Sequence, residues 1–180
     1  DVDGGVAGAR YGVGVDPGVL GLVTGLRHGG DPTEALSAVA RRLASGAWMV
    51  PGPESPDIAR RVWSADRAAA AVAEALSFDH RRVWLCDLGR VCATSATAPI
   101  VAGSAVTLLF SRDAPADLVQ LPSRVETLGK MCQNFGVVVV GSPPYARDEL
   151  IDFVGSRDVW VVPAASDLIE VSQQVWSTSR

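Results

Sequence analysis

Lysine is almost missing from this chain. Lys130 is the only one among 180 residues, and every other basic side chain is an arginine. The usual phosphate-binding loop, Gly-x-x-x-x-Gly-Lys-Ser/Thr, needs a lysine just after its second glycine. Lys130 follows Gly129 but precedes Met131, so residues 1–180 do not themselves supply that lysine. Excess positive charge is missing too: the net charge is −4, which gives no electrostatic footprint for nucleic acid. Cysteine is sparse. Cys86, Cys92 and Cys132 are odd in number and widely spaced, as reduced thiols would be. The two histidines, His28 and His80, stand apart from the cysteines, so no metal-ligand spacing emerges. No Gly-x-Ser-x-Gly motif is present, and a hydrolase triad finds no support. No apolar run reaches about 18 residues, the length of a membrane span. No signal peptide is visible, and a cytoplasmic protein is expected. The first residue is Asp1, not methionine, so further residues are expected before it.

What is present is a 48% hydrophobic chain of a length suited to one domain, 1–180, with a sizeable core. Four continuous apolar segments follow residue 80: Val83–Cys86, Ala105–Phe110, Phe135–Val140 and Val159–Val162. Continuous runs, as opposed to alternating ones, fit strands buried on both faces. The intervals between them have helical length. Ala116–Met131 carries a stripe of Leu118, Leu121, Val125 and Leu128, with Pro122 implying a kink or a late start. Arg147–Val154 places Leu150, Ile151 and Val154 on one face. Strands alternating with helices predict parallel βαβ units. Earlier in the chain, Pro32–Leu43 reads as a helix with Asp31 as its cap and Pro32 at its first position. Trp48-Met49-Val50 reads as a short strand, and Ser64–Leu76 as an alanine-rich helix capped by Ser64. Gly4–Gly21 is glycine-rich and carries no clear element.

The chemistry-bearing candidates lie where these strands end. Ligands of parallel sheets bind outside the carboxyl ends of the strands. Val83-Trp84-Leu85-Cys86 leads into Asp87 and Gly89, an acid that could hold magnesium or its water and a glycine that lets backbone approach a phosphate. The bland alternative is an aspartate capping a turn. Asp1 and Asp3, followed by Gly4-Gly5, form a second acidic candidate or a solvated terminus. Gly141-Ser142-Pro143-Pro144-Tyr145 follows the four-valine strand and can wall a nucleotide base, or simply turn the chain. Ser111-Arg112-Asp113 and Asp167 add polar groups to the same edge. Gly12-Val13-Gly14 has the wrong spacing for a dinucleotide fingerprint.

Taken together, these segments resemble the MinD/ParA-like, deviant-Walker (SIMIBI) branch of P-loop NTPases, in its actinobacterial form. Asp1-Val2-Asp3-Gly4-Gly5 resembles the end of the family's second strand, and Val83–Gly89 the strand bearing the magnesium acid. Ala105–Arg112 resembles the strand after it. Phe135–Gly141 with Pro144-Tyr145 resembles the strand and loop beside adenine, and Val159–Pro163 with Asp167 the family's closing strand. The resemblance implies an α/β fold, a three-layer, mostly parallel sheet flanked by helices. It implies ATP and Mg2+ as cofactors, with Asp87 at the metal. Asp87, Asp1 and Asp3 would be the catalytic acids, and Gly89, Gly141, Pro144, Tyr145 and Asp167 would contact the nucleotide. The family's phosphate loop lies ahead of its second strand, and its fold continues past its last strand, so a fragment incomplete at both ends is expected. The implied activity is an ATP-driven switch for positioning, partitioning, secretion or pilus assembly. It would work as a homodimer with protein partners, meeting membrane or nucleoid only indirectly. The alternative is a non-catalytic interaction module of the same fold.

Overall fold

A computed structural model describes residues 7–65, 67–156 and 158–164. The contacts divide the chain into two compact units, Asp1–Ser104 and Ala105–Arg180, where the sequence pattern reads as one domain.

The first unit is mainly helical. Its described elements are α1 (Ala7–Arg10), α2 (Gly18–Arg27), α3 (Pro32–Val39), β1 (Arg41–Arg42), β2 (Trp48–Met49), α4 (Pro56–Ser64), α5 (Ala68–Phe78) and α6 (Ala98–Gly103). Helix α3 starts as its sequence predicts. The Asp31 carboxylate accepts the backbone N–H groups of Thr33 and Glu34, both at 2.9 Å, and Pro32 occupies the first turn. These N–H groups have no partner within the helix, and the cap supplies one. The helix ends at Val39, four residues before its expected limit. Ala40 turns extended, and Arg41–Arg42 pair antiparallel with Trp48–Met49. Ser64 ends α4 instead of capping the alanine-rich helix, which starts at Ala68 with no side-chain cap. α4 itself is capped by Ser55, whose hydroxyl accepts Ile58 N–H at 3.3 Å. The core gathers Leu22, Leu36, Val39, Val62, Trp63, Ala69, Val72 and Ile100.

The second unit is a βαβαβ run: β3 (Thr107–Arg112), α7 (Pro115–Leu118), α8 (Leu121–Gly129), β4 (Phe135–Val140), α9 (Arg147–Val154) and β5 (Val159–Val162). The strands form a three-stranded parallel sheet in the order β3-β4-β5. The fold is therefore mixed α/β, with a small parallel sheet flanked by helices. Phe135–Val140, Val159–Val162 and Arg147–Val154 lie as expected. β3 sits two residues later than expected, so Ser111 and Arg112 belong to the strand and Asp113 is the first residue beyond it. The Ala116–Met131 stripe divides into α7 and α8, with Pro122 in the first turn of α8. There its missing N–H costs nothing. Glu149 closes the start of α9 by accepting Ala146 N–H at 2.8 Å, and Gly155, at φ 70°, ends it.

One sheet face is packed. Leu109, Val137, Val139 and Val159 meet Leu118, Leu121 and Val125 from α7 and α8, and Leu150 and Val154 from α9. Val137, Val139 and Val159 are fully buried, each stabilising the unit by about 1.5–3 kcal/mol through apolar burial. The other face is different: Leu108, Phe110 and Trp160 are 46%, 60% and 45% exposed. The Trp160 ring lies against Gly136, where a Cβ would collide with it.

Candidate functional site

The expected strand Val83–Cys86 does not form. Residues 83–89 belong to no helix or strand. Val83 and Leu85 are 90% and 92% exposed, whereas Trp84 and Leu88 turn inward and pack against the core of the first unit. An apolar run makes a buried strand only when neighbouring strands take up its N–H and C=O groups, and here none does. The segment is held instead by Asp79. This buried carboxylate accepts the Trp84 indole N–H at 3.1 Å and Arg81 N–H at 3.2 Å, and pairs with Arg82 at 3.3 Å. The Arg82 guanidinium also lies over the Trp84 ring, 5.8 Å from its centroid.

Asp87 is accordingly an exposed loop residue. Its Oδ1 accepts Gly89 N–H at 3.0 Å, an Asx turn that Gly89 completes with φ 60°. The turn cap that the sequence left open is formed. The second carboxylate oxygen makes no hydrogen bond among the described residues.

The loop continues to Cys92, whose surroundings the sequence pattern did not single out. Cys92 N–H donates to Ser95 Oγ at 2.8 Å, and Ser95 N–H returns to Cys92 C=O at 2.9 Å. The Ser95 hydroxyl donates to Cys92 Sγ at 3.4 Å, with Thr94 Oγ1 at 3.3 Å. The Ser95 hydroxyl, followed by that of Thr94, holds the exposed thiol down to about 7 from an ordinary 9.0. Cys86 goes the other way: packing round its sulfur pushes the thiol up, although the residue as a whole is exposed. The available signal was the spacing Cys-x-x-Ser, which puts a hydroxyl one turn ahead of a thiol.

In the second unit the carboxyl ends of β3 and β4 are joined by Asp113. Its N–H donates to Val140 C=O at 3.2 Å, and its carboxylate accepts Ser142 N–H at 2.8 Å. Gly141 N–H donates to Val162 C=O at 2.8 Å, tying the same loop to β5. Gly141 has φ 124°, a conformation that L side chains rarely adopt. Beyond it, Pro144 and Tyr145 are exposed, Tyr145 by 49%. Arg112 is turned aside, its Nε 2.9 Å from Asp117 Oδ2. Lys130 caps the end of α8, its Nζ 2.6 Å from Glu126, and this partner holds the Glu126 carboxyl below its ordinary value.

Asp87 and Gly89 thus share one turn in the first unit, and Gly141, Pro144 and Tyr145 share one loop in the second. Asp1, Asp3 and Asp167 lie outside the described residues. Among the described residues no three histidine, cysteine or acidic side chains gather to hold a metal ion, and no helix is long and apolar enough to cross a membrane. No family model, curated protein or solved structure matches the chain.

Proposed function

We propose that the chain is part of a MinD/ParA-like ATP-binding switch, whose larger three-layer sheet includes the three parallel strands described above. The observation that carries this reading is the loop at the carboxyl end of β4, fastened by Asp113 and offering Tyr145 to solvent. Parallel sheets bind ligands at that edge, and an exposed tyrosine ring gives a base a face to stack on. Such stacking is worth about 1–3 kcal/mol.

The residues also suit magnesium brought by a nucleotide better than magnesium alone. Mg2+ in nucleotide sites takes one or two carboxylates and completes its shell with phosphates and water. Asp87, exposed and with one oxygen uncommitted, is such a carboxylate, and no group of three or more metal-ligating side chains gathers among the described residues. Bound magnesium would neutralise phosphate charge. In the second unit Pro144 and Tyr145 would flank the base; in the first, the family resemblance gives Asp87 to the metal or its water and Gly89 to the phosphates. Nucleotide-dependent homodimerisation and recruitment of protein partners belong to the same proposal.

Titration of the complete gene product with ATP, with and without magnesium, tests it. Tyr145→Ala is expected to weaken ATP about tenfold, and Asp87→Ala to remove the gain that magnesium gives. ATP binding that neither substitution changes overturns both assignments. No ATP binding at all overturns the switch.

The exposed face of Leu108, Phe110 and Trp160 favours a second reading, a protein-interaction module that does not depend on nucleotide. Contiguous exposed apolar surface is a mark of interaction sites. This reading expects partner binding that ignores ATP and is weakened by Phe110→Asp.

A further inference from the structure

A cavity of about 200 Å³ opens in the first unit between α4 and the loop leading into α6. Arg60, Trp63, Leu88, Arg90, Ser95 and Thr97 are among its walls. Pockets for drug-sized ligands run to about 300–1,000 Å³, so this one suits a smaller group.

Its chemistry selects for negative charge. Two arginines line it, and among the described residues neither a carboxylate nor a carboxamide side chain does. Arg60 shares its charge with Asp57 at 3.0 Å. Arg90 is exposed and makes no hydrogen bond or ion pair among the described residues. Thr97 is only 8% exposed, yet its hydroxyl has no partner among the described residues. That hydroxyl is still open to water, and a hydroxyl open on a cavity wall is one that a ligand oxygen can satisfy. Arginine with hydroxyl donors is the usual set for a carboxylate.

Ser95 belongs both to this wall and to Cys92, since its hydroxyl donates to the Cys92 sulfur. We propose that the cavity binds the carboxylate end of a small anionic disulfide and presents its S–S bond to Cys92, which becomes the site of S-thiolation. The Cys92 thiolate attacks one sulfur of the disulfide. A Cys92–S bond forms, the S–S bond breaks, and the departing thiolate takes the proton released by the Cys92 thiol. The protein thiol is oxidised and half of the disulfide is reduced, so no other oxidant is needed. The lowered Cys92 thiol supplies thiolate at neutral pH. Cys132 is buried and Cys86 is held protonated, which leaves Cys92 the favoured target. This inference does not depend on nucleotide binding.

The test uses a matched pair of small disulfides on the full chain, dithiodipropionate (dianionic) and dithiodiethanol (neutral), with the modified cysteine identified by peptide mass spectrometry. Cys92 is expected to react first and to favour the dianionic reagent. Arg90→Ala is expected to slow that reagent about fivefold, the scale of one exposed charge pair, while leaving the neutral one unchanged. The neutral reagent also reports whether the variant is folded. Equal rates for the two reagents, equal slowing of both by Arg90→Ala, or faster labelling of Cys86 would overturn the proposal.

Discussion

The Asp113 carboxylate occupies the place where a side chain on Gly141 would have to go: a Cβ built there collides with the carboxyl group itself. The same carboxylate holds Ser142 N–H at 2.8 Å, so glycine at 141 and aspartate at 113 are one device. Gly141→Ala would suffer twice, from its φ of 124° and from the collision. We expect it to lower unfolding stability by about 2–3 kcal/mol, the usual cost of a strained backbone position together with overpacking. Asp113→Ala should cost about 1 kcal/mol through the lost hydrogen bond. Combining the two should cost less than their sum, because the second removes what the first strikes. Urea denaturation of the four proteins checks this, and strict additivity would refute the coupling.

Asp79 is the second place where one side chain carries several contacts. It is 6% exposed and serves Trp84, Arg81 and Arg82 together. Asp79→Ala leaves the indole N–H unpaired in a partly buried position, and we expect a loss of about 2–4 kcal/mol. Asp79→Asn keeps one acceptor and should lose less. Thermal unfolding followed through tryptophan fluorescence measures both, and an Asp79→Ala variant as stable as the parent would show that the segment 79–84 is held otherwise.

Cys92 gives a prediction in pH. Its thiol is held at about 7, so it is protonated and unreactive below that value and becomes thiolate as the pH rises through it. Alkylation by iodoacetamide should climb between about pH 6 and 8 and then level off. Ser95→Ala removes the largest cause of the lowering, and its midpoint should move upward toward the ordinary 9.0. An unchanged midpoint in that variant would exclude the serine hydroxyl as the cause.

The second unit was the legible part of the sequence. Phe135–Val140 and Val159–Val162 are valine-rich runs bounded by polar residues and glycine, and they pair as strands. Arg147–Val154 shows its helical face plainly. Pro122 announced a late helix start, and α8 begins there. Asp31-Pro32 fixed the start of α3 but not its end, because its last expected residues pair with Trp48–Met49 in a hairpin, a non-local choice. The segment Val83–Cys86 shows the limit most clearly. Its apolar residues match those of a buried strand, but a strand also needs neighbours, and a single run of residues cannot say whether they exist. What holds it, Asp79 reaching forward to Trp84, is a contact between types that no period reveals. At the candidate site, Asp87 and Gly89 were legible as a pair, and the turn that they form was one of the two readings open there. Asp113 was visible as a polar residue on the sheet edge, yet its bond to Ser142 spans two strands.

The fastening of Gly141–Ser142 to β3 and β5 also bears on how quickly a ligand could arrive. A loop already held at both flanks by Asp113 and Val162 has surrendered its conformational freedom during folding, so an incoming molecule does not have to order it. Association at this edge would then proceed as a single step limited by encounter and orientation, about 10⁵–10⁷ M⁻¹s⁻¹ by analogy with docking onto a rigid patch. Affinity among related ligands would be sorted by how long each stays.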